Sequence, residues 1–386
     1  MRDNQKNKNQ GLPFPSASTE LLGHEKAEGE LVEAYNSGRM PHAWLFFGPT
    51  GIGKETLAFR LAKFILSQEG NKLHQPLSCS LFKSLTINPK CQAALQVSSE
   101  SHPDLKILRC KSNEQGRTNS IIRINDIRSF KSSLHLKSSS GGWRVIIIDE
   151  AEKMNTNAAN AILKLIEEPP EKTLVIIITN SLNAILPTIK SRCRKLMLRP
   201  LNDNFVASLI TKVYPYLSDK DMNIILRLVE GSPGKALTFL EAGGAVIYRD
   251  IINILSKIPK ISGEEVHALA ENWCKRKLNN SNQDIFHIVT YMLLRWIERA
   301  ILAANQSPDI QEIIPGDLEA GRIYVSCIGL ESAFYRRDAI YRLIQLENAL
   351  MLDRKQLIIE AFYILALGEK IEYSIFSPSA RDFIKF

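Results

Sequence analysis

The sequence predicts a doubly wound α/β domain on a parallel five-stranded sheet, followed by a region made of helices alone. Three observations carry that expectation. Five short apolar runs fall between residues 44 and 200, helical periodicities separate them, and the strand-like pattern is gone after Pro200. Strands alternating with helices close into a parallel sheet covered on both faces.

The elements follow in order. Met1–Gln10 is polar with no apolar stretch behind it, unlike a secretory signal, and residues 1–17 read as a disordered tail with nothing to bury. The five runs are Trp44–Phe47, Leu105–Leu108, Val145–Ile148, Leu174–Ile178 and Lys195–Leu198. Nearly continuous apolar character, rather than alternation, suits a strand buried on both faces. Between them Leu57, Leu61 and Phe64 or Ile65 recur at helical spacing, as do Ala158, Ile162, Leu165 and Ile166, and Pro169–Pro170 stops the second helix. The α/β domain thus occupies 18–200. Residues 201–248 read as a small helical unit punctuated by Gly231-Ser232-Pro233-Gly234. Residues 249–386 read as an all-helical domain with long amphipathic stretches at Ile285–Leu302 and Ala339–Leu367.

Composition narrows the class. Hydrophobic residues are 45% and charged residues 23% of 386 positions, ordinary values for a globular chain of two or three domains. No apolar run approaches the roughly 18 residues of a membrane span. The net charge of +8 is spread without a Lys/Arg block, so it permits nucleic-acid contact without demanding it. Arg109, Lys111, Arg117, Arg123 and Arg128 make one stretch basic, and a solvated face is the simpler reading of it. Cysteines at 79, 91, 110, 193, 274 and 327 include no Cys-x-x-Cys pair, which reads as a cytosolic protein with reduced thiols.

Gly48-Pro49-Thr50-Gly51-Ile52-Gly53-Lys54 follows the first run and opens a helix, the context that a phosphate loop requires. Gly48, Gly51 and Gly53 let backbone N–H groups curl around a phosphate, the helix N-terminus adds positive potential, and Lys54 reaches the outer phosphates. A Ser or Thr should come next, to hold Mg²⁺ through its hydroxyl. Glu55 stands there instead, and Thr56 is turned about 100° round the helix. The loop therefore admits two readings, a working ATP/Mg²⁺ site or a vestige that only shapes the domain. Val145–Ile148 ends in Asp149-Glu150, the pair that in phosphate-loop ATPases holds Mg²⁺ and polarises the attacking water. No carboxylate set for nucleotide polymerisation is visible.

Asp149-Glu150-Ala151-Glu152-Lys153-Met154-Asn155, the stretch Ala159–Pro170 and Leu186-Pro187-Thr188-Ile189-Lys190-Ser191-Arg192-Cys193 resemble the clamp-loader branch of the AAA+ proteins, subunits of bacterial DNA polymerase III. Ser191-Arg192-Cys193 is the most specific of these matches. The resemblance implies an AAA+ domain over 18–200, a helical lid over 201–248 and an oligomerisation collar over 249–386. It implies a hetero-pentamer with gamma/tau-type and delta-type subunits, a sliding clamp and primed DNA as partners through the complex, and a cytoplasmic location. Arg192 becomes an arginine finger offered to a neighbour's ATP, where a planar guanidinium offsets charge spread over phosphate oxygens.

Two departures separate the subunit types. Motor subunits keep Ser or Thr at the position of Glu55 and an arginine at the position of Gly234, so the combination resembles the non-motor, delta-prime type. Gly48, Gly51, Gly53, Lys54, Thr56, Asp149 and Glu150 then form a degenerate nucleotide site with weak or absent ATPase. The alternative is an active gamma/tau-type motor. Relatives also carry four zinc-binding cysteines before a His-Pro-Asp. Here His102-Pro103-Asp104 remains, but only Cys79 and Cys91 occupy cysteine places, with Asn88 and Ala94 in the others. Two thiolates, even with His74 and His102 nearby in sequence, do not make the closed tetrahedral shell that structural zinc takes, so no zinc is expected.

Overall fold

The computed structural model describes residues 15–18, 21–68, 82–110, 122, 127, 142–258, 261–275, 285–305, 307, 310–350 and 353–367. His74, Cys79, Lys111, Arg117, Arg123, Arg128 and most of the tail 1–17 lie outside them. The contacts gather into two compact units, Met1–Ser218 with Val229–Leu237, and Asp219–Leu228 with Thr238–Phe386.

The first unit is a doubly wound α/β layer structure. Its strands are β1 (Ala43–Phe47), β2 (Leu105–Leu108), β3 (Arg144–Ile148), β4 (Thr173–Thr179) and β5 (Arg194–Met197), each within a residue or so of its expected run. All neighbours pair in parallel in the order β2-β3-β4-β1-β5. Successive side chains point to opposite faces, and both faces are buried. Trp44, Phe46, Val145, Ile147, Leu174, Ile176 and Ile178 pack with helices α1 (Glu25–Asn36) and α2 (Lys54–Ser67). Leu45, Ile146, Ile148, Val175 and Ile177 pack with helices α3 (Thr156–Glu167) and α4 (Pro187–Lys190) on the other face. Full burial on both sides is why these strands lack alternation. β5 is one of the two edge strands, and there Arg194 and Lys195 are exposed while the Arg194 guanidinium lies 4.9 Å from the centroid of the Trp44 ring.

The strand order positions the site. β4 is inserted between β1 and β3, and Phe47 pairs with Thr179 while Ile148 pairs with Ile177. The phosphate loop after β1, Thr179-Asn180 at the end of β4 and Asp149-Glu150 after β3 therefore share the carboxyl edge of the sheet, where open α/β sheets hold ligands.

The second unit is helical. Helices Gly244–Leu255, Gly263–Cys274, Ile285–Ala304, Asp317–Ile328, Leu330–Leu350 and Arg354–Leu367 make up most of it. The long stretch expected at Ala339–Leu367 is two helices, because Asp353 starts the second one: its carboxylate accepts from Lys355 N at 3.1 Å. Trp273 stacks on Phe362 and Trp296 packs against Tyr324. Gly321 lets its helix close on Ala300, since a Cβ there would sit 2.9 Å from the Ala300 Cα. Asp317, 3% exposed, accepts from Arg299, Tyr248 and the Ile313 N–H. Among the described residues no helix is long and apolar enough to cross a membrane.

Candidate nucleotide site and an exposed arginine

The glycines of the loop take the conformations that their positions require. Gly48, Gly51 and Gly53 have φ of 151°, 76° and 103°, in the region that residues with a Cβ rarely adopt. At Gly48 a Cβ would lie 2.2 Å from the Leu198 carbonyl oxygen, so only glycine lets the chain turn there. His24, upstream of the loop, is buried and holds it: its Nε2 lies 2.7 Å from Ile52 O, and since a carbonyl only accepts, this nitrogen carries the proton.

Lys54 does not point into open space. Its Nζ donates to Gly48 O at 2.8 Å, Pro49 O at 2.6 Å and Asn180 Oδ1 at 2.7 Å, which uses all three ammonium protons. Burial pushes its pKa down to about 8, against the pull of Glu152 and Asp149. Asn180 in turn donates to Glu152 Oε1 at 2.6 Å, and the hydroxyl of Thr179 donates to Glu152 Oε2 at 2.9 Å. A chain of charge-assisted bonds thus runs from the loop lysine through the end of β4 to Glu152. Sequence reasoning missed Glu152. Its only signal is the acid-rich run after Asp149, and the single turn of 3₁₀ helix at Ala151–Lys153 is what turns it towards β4.

The acid pair divides. Asp149 Oδ1 accepts from the Glu150 N–H at 2.9 Å, and burial raises its pKa. Glu150 adopts a left-handed backbone, φ 51°, and its carboxylate bonds Lys153 Nζ at 2.7 Å. The residue expected to polarise water is therefore ion-paired within its own chain.

Glu55 is partly buried near Asp149, and Arg109 answers it. Arg109 Nη2 lies 3.5 Å from Glu55 Oε1 and 2.9 Å from Glu100 Oε1. The Arg109 side chain is 40% exposed, as the reading of a solvated basic face expects, while its guanidinium also pairs with the Glu55 and Glu100 carboxylates. Thr56 sits half-buried beside Glu55 on α2. Burial, then Asp149, pushes the Glu55 carboxyl up from 4.5 to about 7, with Arg109 pulling the other way. Its folded pKa is thus raised, so the stability it contributes is complete below about 4.5 and is lost as pH rises through about 7. Glu55→Gln, which imitates the protonated form, should melt above the wild type at pH 8, with the gap closing as pH falls towards 5. Thermal unfolding at several pH values reads this out, and a gap independent of pH would show that Glu55 does not titrate there.

The segment Gly231–Lys235 seals the loop from the other side. Ser232 Oγ donates to Thr50 O at 2.8 Å and Gly234 N donates to Gly51 O at 2.9 Å. A Cβ on Gly234 would fall 2.9 Å from the Gly51 Cα, so the absent arginine and the close approach are one fact. These residues do not fit Mg²⁺-triphosphate: the lysine is spent, an internal cation stands beside Asp149, and backbone covers the loop. Among the described residues no cluster is arranged to hold a metal. Cys91, one of the two remaining cysteines of the zinc pattern, caps the helix Gln92–Ser98 by accepting from Ala94 N at 3.4 Å.

Arg192 lies elsewhere, after the short helix α4. Its side chain is 42% exposed, with Nε in an ion pair 2.8 Å from Glu167 Oε1 and Nη1 donating to Thr188 O at 3.1 Å. It is not drawn into the chain's own loop.

Comparison with known proteins agrees with the motifs. Residues 23–202 match the family described as DNA polymerase III, delta subunit. The delta' subunit of Pseudomonas aeruginosa is 30% identical over 234 residues, 60% of this chain and 65% of that protein. The gamma subunit of Buchnera aphidicola (subsp. Baizongia pistaciae) is 29% identical over 59% of this chain and 57% of that one. The Escherichia coli delta' subunit is 28% identical over 55% and 58%. The match thus spans less than two thirds of each relative, and overall identity does not separate the two subunit types. A gamma-subunit-related protein of Thermotoga maritima superposes with a TM-score of 0.41 at 16% identity over 88% of this chain and 100% of that one, too loosely to add to the strand order.

Proposed function

We propose, from the premise that residues 23–202 belong to the clamp-loader family of DNA polymerase III, that this chain is the non-motor, delta-prime type of subunit. In this reading it binds no nucleotide productively and presents Arg192 to the triphosphate of an adjoining motor subunit. Residues 18–200 form the AAA+ module, 201–248 the lid and 249–386 a collar through which a cytoplasmic hetero-pentamer assembles with gamma/tau-type and delta-type subunits. The complex would place a sliding clamp on primed DNA.

The observation that carries the reading is the complete internal engagement of Lys54. Charge-assisted hydrogen bonds are about twice as strong as neutral ones. A phosphate would have to displace three of them and lift Gly234 from Gly51 before reaching the lysine. The opposite reading, an active motor, needs that site open and a hydroxyl at position 55.

Calorimetry on the isolated chain tests the choice. The dissociation constant for Mg-ATP should be no tighter than about 1 mM, roughly 4 kcal/mol of binding. In a mixture with gamma/tau-type and delta-type subunits, the same chain should co-elute with them and raise their ATPase. Micromolar binding by the chain alone would favour the motor, and failure to join the complex would remove the proposal.

A further inference from the structure

Resting on the reading of Arg192 as a finger, we propose that Glu167 is its positioning residue: its carboxylate pairs with the guanidinium on the Nε side and leaves Nη2 for a neighbour's phosphate.

Glu167 is poorly placed for its own helix. It is the last residue of α3, where the helix dipole favours cations, and Glu168 follows it. Two carboxylates at that end repel each other and the terminal carbonyls. Pro169-Pro170 then ends any helical continuation, so Glu167 is held at a fixed corner. What the side chain gains is Arg192 Nε at 2.8 Å.

The other grips on the guanidinium lie along the adjoining positions. Nη1 donates to Thr188 O at 3.1 Å and to Ser191 Oγ at 3.4 Å. Glu167, on a different helix, fixes the side that these cannot reach. Among the described residues Nη2 has no partner, so two of the five donors of a rigid fork remain for an incoming anion. An arginine held in this way loses little rotamer freedom when it meets phosphate, whereas a free one loses much of it at that moment. The carboxylate also reduces the net charge offered. That would weaken a finger whose only task was attraction, and it is tolerable for one whose task is alignment in the transition state.

The test uses the reconstituted complex with three forms of this chain. Arg192→Ala first establishes whether the finger acts. Glu167→Ala should lower kcat for ATP hydrolysis about tenfold while KM stays within about twofold, as expected for lost alignment rather than lost binding. Glu167→Asp, which keeps the carboxylate that the ion pair needs, should recover part of the rate. Melting of each variant checks that the fold is kept. If Arg192→Ala has no effect, the finger reading falls and Glu167 falls with it. If Arg192→Ala slows hydrolysis but Glu167→Ala leaves kcat unchanged, only the positioning role is lost. A faster Glu167→Ala complex would show that the carboxylate competes with phosphate, which also overturns it.

Discussion

Arg192→Ala should slow hydrolysis at the adjoining motor site by about 10³-fold or more, the scale set by fingers supplied in trans. The chain itself should lose little, since an ion pair as exposed as Arg192–Glu167 is worth at most about 1 kcal/mol. Rate and stability therefore separate cleanly. In a complex with several motor sites, total ATPase falls by the share of the site that Arg192 serves, and single-turnover measurement resolves it. Arg192→Lys should recover little, because an ammonium is a point charge without the planar fork. An assembled complex containing Arg192→Ala and hydrolysing at the wild-type rate would remove the finger.

Gly234→Arg should fail to create a nucleotide site and should destabilise the first unit instead. A lid arginine is what motor subunits carry, so the substitution looks like a repair. Here its Cβ would meet Gly51 Cα at 2.9 Å and Gly51 O at 3.0 Å, both backbone atoms of a loop already tied down. Neither can yield as the tip of a flexible side chain would. Overpacking of this kind costs about 1–3 kcal/mol and sometimes more, and it also threatens the bond from Gly234 N to Gly51 O. A lower melting temperature with unchanged, weak ATP binding is the expected result. Micromolar ATP binding at undiminished stability would mean that the segment lifts freely and that the loop remains a functional site.

Much of the fold was legible because it depends on short-range patterns. Five apolar runs became five strands, and the glycines of the loop take the positive φ that such a tight curl needs. The break at Asp353 was not seen, because apolar spacing continues on both sides and only the capping carboxylate marks the boundary. The site was legible in its chain-local part alone. That Glu55 disturbs metal binding could be read from chemistry, but its partner Arg109 follows β2 and meets it only once the sheet has formed. Glu152 was hidden because its partners, Thr179 and Asn180, lie at the end of another strand. The same holds for Glu167 and Arg192, which approach because α3 and α4 pack on one face of the sheet.

The saturation of Lys54 bears on supply as well as on affinity. A loop whose ammonium and glycine carbonyl are matched by its own chain completes its shape during folding, before any small molecule arrives. On the proposed reading such a part does not register whether adenylate is plentiful or scarce. Timing would then fall to the subunits that do sense the fuel, with this one supplying a constant against which their movements are made.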